Sequence, residues 1–171
     1  IEPRITGPSP IAPLLAVDGY KHSHRQVYPQ GTTRILINWT NRSNAHMPES
    51  THAVVFGLQA FIQRSLVEAW APFFAASEDE VADLFQQALE GYFGPNHLGV
   101  DHGRALHRLR YRPLTIKALP EGTLAPIGVA TLTVENTVDE FFWLPNYIET
   151  ALSASIWHPS TARASTRFMP I

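Results

Sequence analysis

The stretch over residues 112–167 constrains the fold most, because it places two strand patterns, a tight turn and a helix pattern in immediate succession. Leu114, Ile116 and Ala118 alternate toward one face of a strand. Pro120-Glu-Gly-Thr123 turns the chain, and residues 128–135 form a second strand with Ala130, Leu132 and Val134 inward. The cluster Phe141-Phe142-Trp143 follows, and its ordinary role is core packing, since large aromatics mainly supply buried area. Pro145 suits the first turn of a helix whose apolar face is Tyr147, Ile148, Ala151, Leu152, Ser155 and Ile156. Pro159 is expected to open one further helix, through Ser160 and Arg163 and on to residue 171.

The preceding chain reads less regularly. Four prolines in residues 1–13 predict an extended N-terminal arm over 1–12. Asp18 is placed to cap a short helix that ends before Pro29, and Gln30-Gly31 is a turn. Residues 32–41 alternate, with Ile35, Ile37 and Trp39 on one face, and read as a strand. Residues 42–52 are polar, contain Pro48 and read as a loop. Leu58, Phe61, Ile62, Ser65, Leu66 and Ala69 share one helix face, ended by Pro72. A capping box at Ser77 and Glu80 opens a second helix with Val81, Leu84, Phe85, Ala88, Leu89 and Tyr92 on its apolar side, stopped at Gly94-Pro95. A weaker helix spans residues 101–110, with Ala105, Leu106 and Leu109 apolar. Strands and helices without regular βαβ alternation predict an α+β fold.

Composition excludes several function classes. The 171 residues suffice for one domain with a hydrophobic core. A formal charge of −2 argues against broad nucleic-acid binding. The absence of cysteine removes disulfides, thiolate nucleophiles and cysteine metal sites. No apolar run reaches the length of a membrane span, and residues 11–17 lack the basic start and unbroken apolar centre of a signal peptide, so a cytoplasmic protein is expected. The chain begins with Ile, which suggests a processed or excerpted piece.

Motifs that carry chemistry are sparse. His22 and His24 are two apart, which separates them by about 200° on a helix, and no acidic cluster completes a metal site. His102 and His107 are five apart and miss the usual helical ligand pair, so packing or surface roles are expected for all four. Asp101-His102 and Ser23-His24 lack a positioned nucleophile, and neither a P-loop nor a dinucleotide fingerprint is present. Tyr20, between Gly19 and Lys21, is either a packing tyrosine or a ring that stacks on a planar ligand. Arg42, just past a strand end, is either a solvated cation or a phosphate ligand.

Six segments resemble, in order, the N-terminal region of the nicotinamide phosphoribosyltransferases. They are DGYKHSH (18–24) with Tyr28-Pro29, FGLQ (56–59), PEGT (120–123), TVENT (133–137), WLPNYIET (143–150) and WHPST (157–161). The resemblance covers residues 13–167 and marks 13–171 as the N-terminal domain of a type II phosphoribosyltransferase. It implies transfer of ribose phosphate from phosphoribosyl pyrophosphate to nicotinamide, giving nicotinamide mononucleotide and pyrophosphate for NAD biosynthesis. Magnesium, ATP acting through a phosphorylated histidine, and a homodimer with sites at the subunit interface are implied with it.

By the same resemblance, Asp18 and Tyr20 match positions at the nicotinamide pocket, with the tyrosine supplied by the partner subunit. Arg42 matches an arginine that reaches substrate phosphates across that interface. The family's catalytic histidine and phosphate-binding residues lie on an α/β barrel, a fold of roughly 250 residues. No barrel fits in this chain, so it is expected to be a fragment or a truncated product, inactive alone, with no catalytic residue of its own. The alternatives are a fragment of a nicotinate-using relative and a stand-alone binding or dimerisation module.

Overall fold

The computed structural model describes residues 8–45, 47–95 and 98–166, with residues 157–166 in backbone only. Most of the expected N-terminal arm lies outside these residues. Its described end is not extended: Ala12 donates to the Ser9 carbonyl, and the chain enters helix α1 (Ala12–Leu15) with Pro13 in its first turn. Ile11 and Leu14 gain burial in the core by this turn, which an extended arm would leave in solvent.

The fold is α+β, as expected. Strands β1 (Leu36–Thr40), β3 (Leu114–Ala118) and β5 (Ala130–Asn136) form an antiparallel sheet in the order β1-β5-β3. Leu132 and Val134 face inward on the central strand, whereas Ala130 is exposed, beside the register shift between Trp39 and Thr40 of the partner strand. A second antiparallel pair corrects the sequence reading. β2 (His52–Val54) begins where a loop was expected, and β4 (Leu124–Pro126) follows the Pro-Glu-Gly-Thr turn. Both are three residues long, too short to show alternation, and only their pairing makes them strands.

Helix α3 (Leu58–Phe61) starts after Gly57, whose φ of 100° is left-handed. The Glu121 carboxylate accepts from the backbone N–H groups of Gly57 and Gln59, at 3.2 and 3.0 Å, and so caps this helix from the far turn. The helix continues as a π-helix over Ile62–Glu68, with Ala69 bonded to the Arg64 carbonyl five residues back. Phe61 and Leu66 are buried as expected, and the wider turn then buries Trp70 in place of the expected Ala69, which is exposed. Pro72 does not merely stop the run; it sits in the first turn of α4 (Ala71–Ala75).

Helix α5 (Glu78–Phe93) is capped by Ser77 Oγ, which accepts from Glu80 N–H at 3.2 Å. Val81, Phe85 and Leu89 are buried, but Tyr92 is exposed. In α6 (Asp101–Leu109) the buried side includes His102 and His107 beside Leu106. Helix α7 (Leu144–Thr166) is the central strut and touches β1, β2, β5, α3 and the short helix α2 (Lys21–Val27). It runs unbroken past Pro159, so the separate helix expected there does not exist. Tyr147, Ile148, Leu152 and Ile156 bury its predicted face, and Trp143 packs edge-on against Tyr147 at 5.1 Å.

Candidate functional site

The surface around Asp18 and Tyr20 is built by clamping α2 onto α7. Asn146, Glu149 and Thr150 fall at i, i+3 and i+4, forming a polar strip beside the apolar face of α7. Lys21 is 3% exposed, and its Nζ donates to the Asn146 carbonyl at 2.8 Å and to the Glu149 carboxylate. Asn146 Nδ2 donates to His24 Nδ1 at 3.2 Å and to Tyr28 Oη at 3.0 Å. Those bonds make His24 Nδ1 the acceptor, which leaves the proton of a neutral ring on Nε2. Tyr147 Oη donates to the Leu14 carbonyl at 2.6 Å, so His22 Nδ1, 3.1 Å away, is the donor to that oxygen. Burial holds the His22 pKa below its usual value. The two histidines thus tie α2 to α7 from different sides and do not converge, and among the described residues no three His, Asp or Glu side chains gather around a common point.

Asp18 does not cap α2. Its backbone carbonyl accepts from Lys21 N–H at 2.9 Å, while its carboxylate is taken up by longer-range partners. Thr150 Oγ1 donates to Asp18 Oδ2 at 2.8 Å and accepts from Asp18 N–H at 3.3 Å. Tyr20 Oη donates to the same Oδ2 at 3.2 Å. These hydrogen bonds, Thr150's first, hold the Asp18 carboxyl below the usual carboxylate range. Tyr20 is shifted upward by desolvation and then by the bond to Asp18. Its ring packs 4.8 Å from that of His24, yet 56% of the residue remains exposed. The result is an oriented phenol and an ionised carboxylate at a surface, suited to a planar ligand with a polar substituent.

Arg42 lies elsewhere. It is exposed, one residue after Asn41, whose carbonyl accepts from Gly128 N–H at 2.9 Å. Among the described residues no hydrogen bond or ion pair joins it to Asp18 or Tyr20. The structure therefore brings two of the three expected residues together and leaves the third at the end of β1. Sequence reasoning missed Lys21, Asn146, Glu149 and Thr150. For the three α7 residues the signal was the polar strip at helical spacing beside an apolar face, which composition alone reads as solvated surface.

An α+β domain whose described residues form no closed barrel, with its polar surface at one end of a long helix, defines a class through its structural likeness. The fold is similar to that of human nicotinic acid phosphoribosyltransferase, with a TM-score of 0.59 at 21% identity over 84% of this chain and 26% of that one. This is the fold of a type II phosphoribosyltransferase N-terminal domain. Residues 12–89 match the family described as nicotinamide phosphoribosyltransferase, N-terminal domain. The chain is 45% identical, over 88% of its length, to nicotinamide phosphoribosyltransferase of Acinetobacter baylyi, and 27% identical, over 86%, to that of Xanthomonas campestris pv. campestris. The chain belongs to the nicotinamide phosphoribosyltransferase family. It spans 31% and 29% of the lengths of those two relatives.

Proposed function

We propose that this chain is the N-terminal part of an enzyme that makes nicotinamide mononucleotide and pyrophosphate from nicotinamide and phosphoribosyl pyrophosphate in cytoplasmic NAD biosynthesis. Support comes from the family match and from one structural observation: Tyr20, anchored through its hydroxyl to Asp18, presents an exposed ring beside an ionised carboxylate. In this reading Asp18 and Tyr20 bind the nicotinamide ring and Arg42 binds substrate phosphate, each toward a barrel contributed by the partner subunit of a homodimer. Magnesium and ATP belong to this reading as cofactors of the full-length enzyme. The isolated chain is then inactive: incubated with both substrates, it should form no nicotinamide mononucleotide, and enzyme-dependent product would place the chemistry here after all.

The residue roles are tested in the full-length enzyme. Tyr20→Phe keeps the ring face and should be mild. Tyr20→Ala should raise the KM for nicotinamide about 2- to 13-fold, the equivalent of roughly 0.5–1.5 kcal/mol of ring contact. Mixed dimers separate the subunits. A Tyr20→Ala subunit paired with a barrel-inactive subunit puts both defects in one site if Tyr20 acts in trans, leaving half the activity with a normal KM. A raised KM in that dimer would assign Tyr20 to its own subunit's site.

A further inference from the structure

A cavity of about 290 Å³ lies where three segments of the chain meet, and neither Asp18 nor Tyr20 lines it. Arg25 reaches it from α2, Asp101 and His102 from the first turn of α6, and Glu140, Phe142 and Trp143 from the residues that lead into α7. Its aromatic walls are held in place. The His102 ring packs edge-on against Phe85 at 5.6 Å and against Trp143 at 5.0 Å, and Phe142 packs edge-on against Tyr28 at 5.4 Å.

Two of the lining residues carry a nitrogen without a partner. Arg25 Nε and His102 Nδ1 are buried and make no hydrogen bond among the described residues. The two side chains are close enough for the Arg25 charge to depress the His102 pKa. Buried polar groups are nearly always paired, so two orphans on one cavity mark the place of a partner from outside these residues. A guanidinium can only donate, and the neutral imidazole donates from Nδ1 in one of its two tautomers. The missing partner is therefore an acceptor, and beside a guanidinium an anionic acceptor is held most strongly. No ion pair joins Arg25 to Asp101 or Glu140 among the described residues, although both line the same cavity. Their exposed carboxylates oppose a phosphate dianion about twice as strongly as a singly charged anion. Phe142 and Trp143 add apolar wall, which suits a ligand with a body rather than a bare ion.

We propose that this cavity binds a small monocarboxylate with an apolar body, whose oxygens accept from Arg25 Nε and His102 Nδ1 while the body lies against Phe142 and Trp143. Such a site goes beyond the transferase reading above and does not depend on it.

The test is calorimetric titration of the full-length enzyme with cyclohexanecarboxylate, whose puckered ring does not suit a site for a planar base. One molecule per chain should bind, and cyclohexanecarboxamide and inorganic phosphate should each bind about tenfold more weakly or worse. Arg25→Lys keeps the positive charge but has no N–H at the Nε position, and should weaken binding about tenfold or more. His102→Phe keeps an aromatic ring against Phe85 and Trp143 but removes Nδ1, and should weaken it several-fold. Glu140→Gln should narrow the preference for carboxylate over phosphate. Absence of saturable binding would mean that water or another part of the enzyme satisfies both nitrogens, and would overturn the inference. Equal affinity for the amide, or full affinity in either Arg25→Lys or His102→Phe, would overturn it too. Should His102→Phe not fold, as judged by circular dichroism, Arg25→Lys still decides.

Discussion

At the scale of single residues, two buried ionisable groups make opposite demands. Lys21 is buried, but its partner Glu149 has 40% of its side chain exposed. Removing the lysine leaves a carboxylate that water can solvate, whereas removing the carboxylate strands a buried ammonium. Glu149→Ala should therefore cost about 1–3 kcal/mol by urea unfolding, and Lys21→Met markedly less; equal costs would mean that the ammonium finds water. His102 packs edge-on between Phe85 and Trp143, and its Nδ1 is buried with no partner among the described residues. Burial first, then the charges of Arg25 and His22, lower its pKa to about 3. Between that value and the unfolded value near 6.5, the unfolded chain binds one proton more than the folded chain. The stability contribution is thus complete above about pH 6.5 and is lost as pH falls toward 3, at up to about 1.4 kcal/mol per unit. His102→Phe should flatten the stability profile in this window. An unchanged slope would assign the acid sensitivity to His22, which is shifted in the same direction.

At the scale of elements, the motifs that carry the family resemblance prove to be mutual supports. Glu121 of the Pro-Glu-Gly-Thr turn caps α3 just after Phe56-Gly57, and across the same junction Gly122 N–H donates to the Val55 carbonyl while Val55 N–H donates to the Thr123 carbonyl. Asn136 of the Thr-Val-Glu-Asn-Thr segment accepts from Ile35 N–H and donates to the carbonyls of Thr33 and Val138. Ser77→Ala removes the one side-chain cap of the longest helix among residues 8–95 and should cost about 1 kcal/mol, read as a fall in the urea midpoint at unchanged m-value. Asn136→Ala orphans three main-chain groups around one buried site and should cost more than the cap. The reverse order would show that water replaces the Asn136 bonds.

At the scale of the whole molecule, apolar side chains remain uncovered where strand ends meet. Phe56, Leu119, Leu124 and Val129 are all exposed near the β2–β4 pair. Exposed apolar side chains favour association where they sit together. The isolated chain is expected to self-associate, with sedimentation showing concentration-dependent growth in mass. A well-behaved monomer across a wide concentration range would show that the exposed side chains are too scattered to pair.

The sequence by itself determined the α+β class, the Ser77 cap, the apolar face of α7, that of α5 as far as Leu89, and the inward side of β5 at Leu132 and Val134, because each depends on neighbours within one or two turns. It also carried the family, since six segments recur in order. Tertiary structure decided the rest. The β2–β4 pair exists only through residues some seventy positions apart, and the π-helix shows only once the buried position shifts from Ala69 to Trp70. α7 stays whole through Pro159, although local preference favours a break there. The site followed the same division. Asp18 and Tyr20 were legible as a local pair, but Thr150, which bonds Asp18, and Glu149, which pairs with Lys21, come from α7, and only packing α2 against α7 brings those side chains within bonding distance.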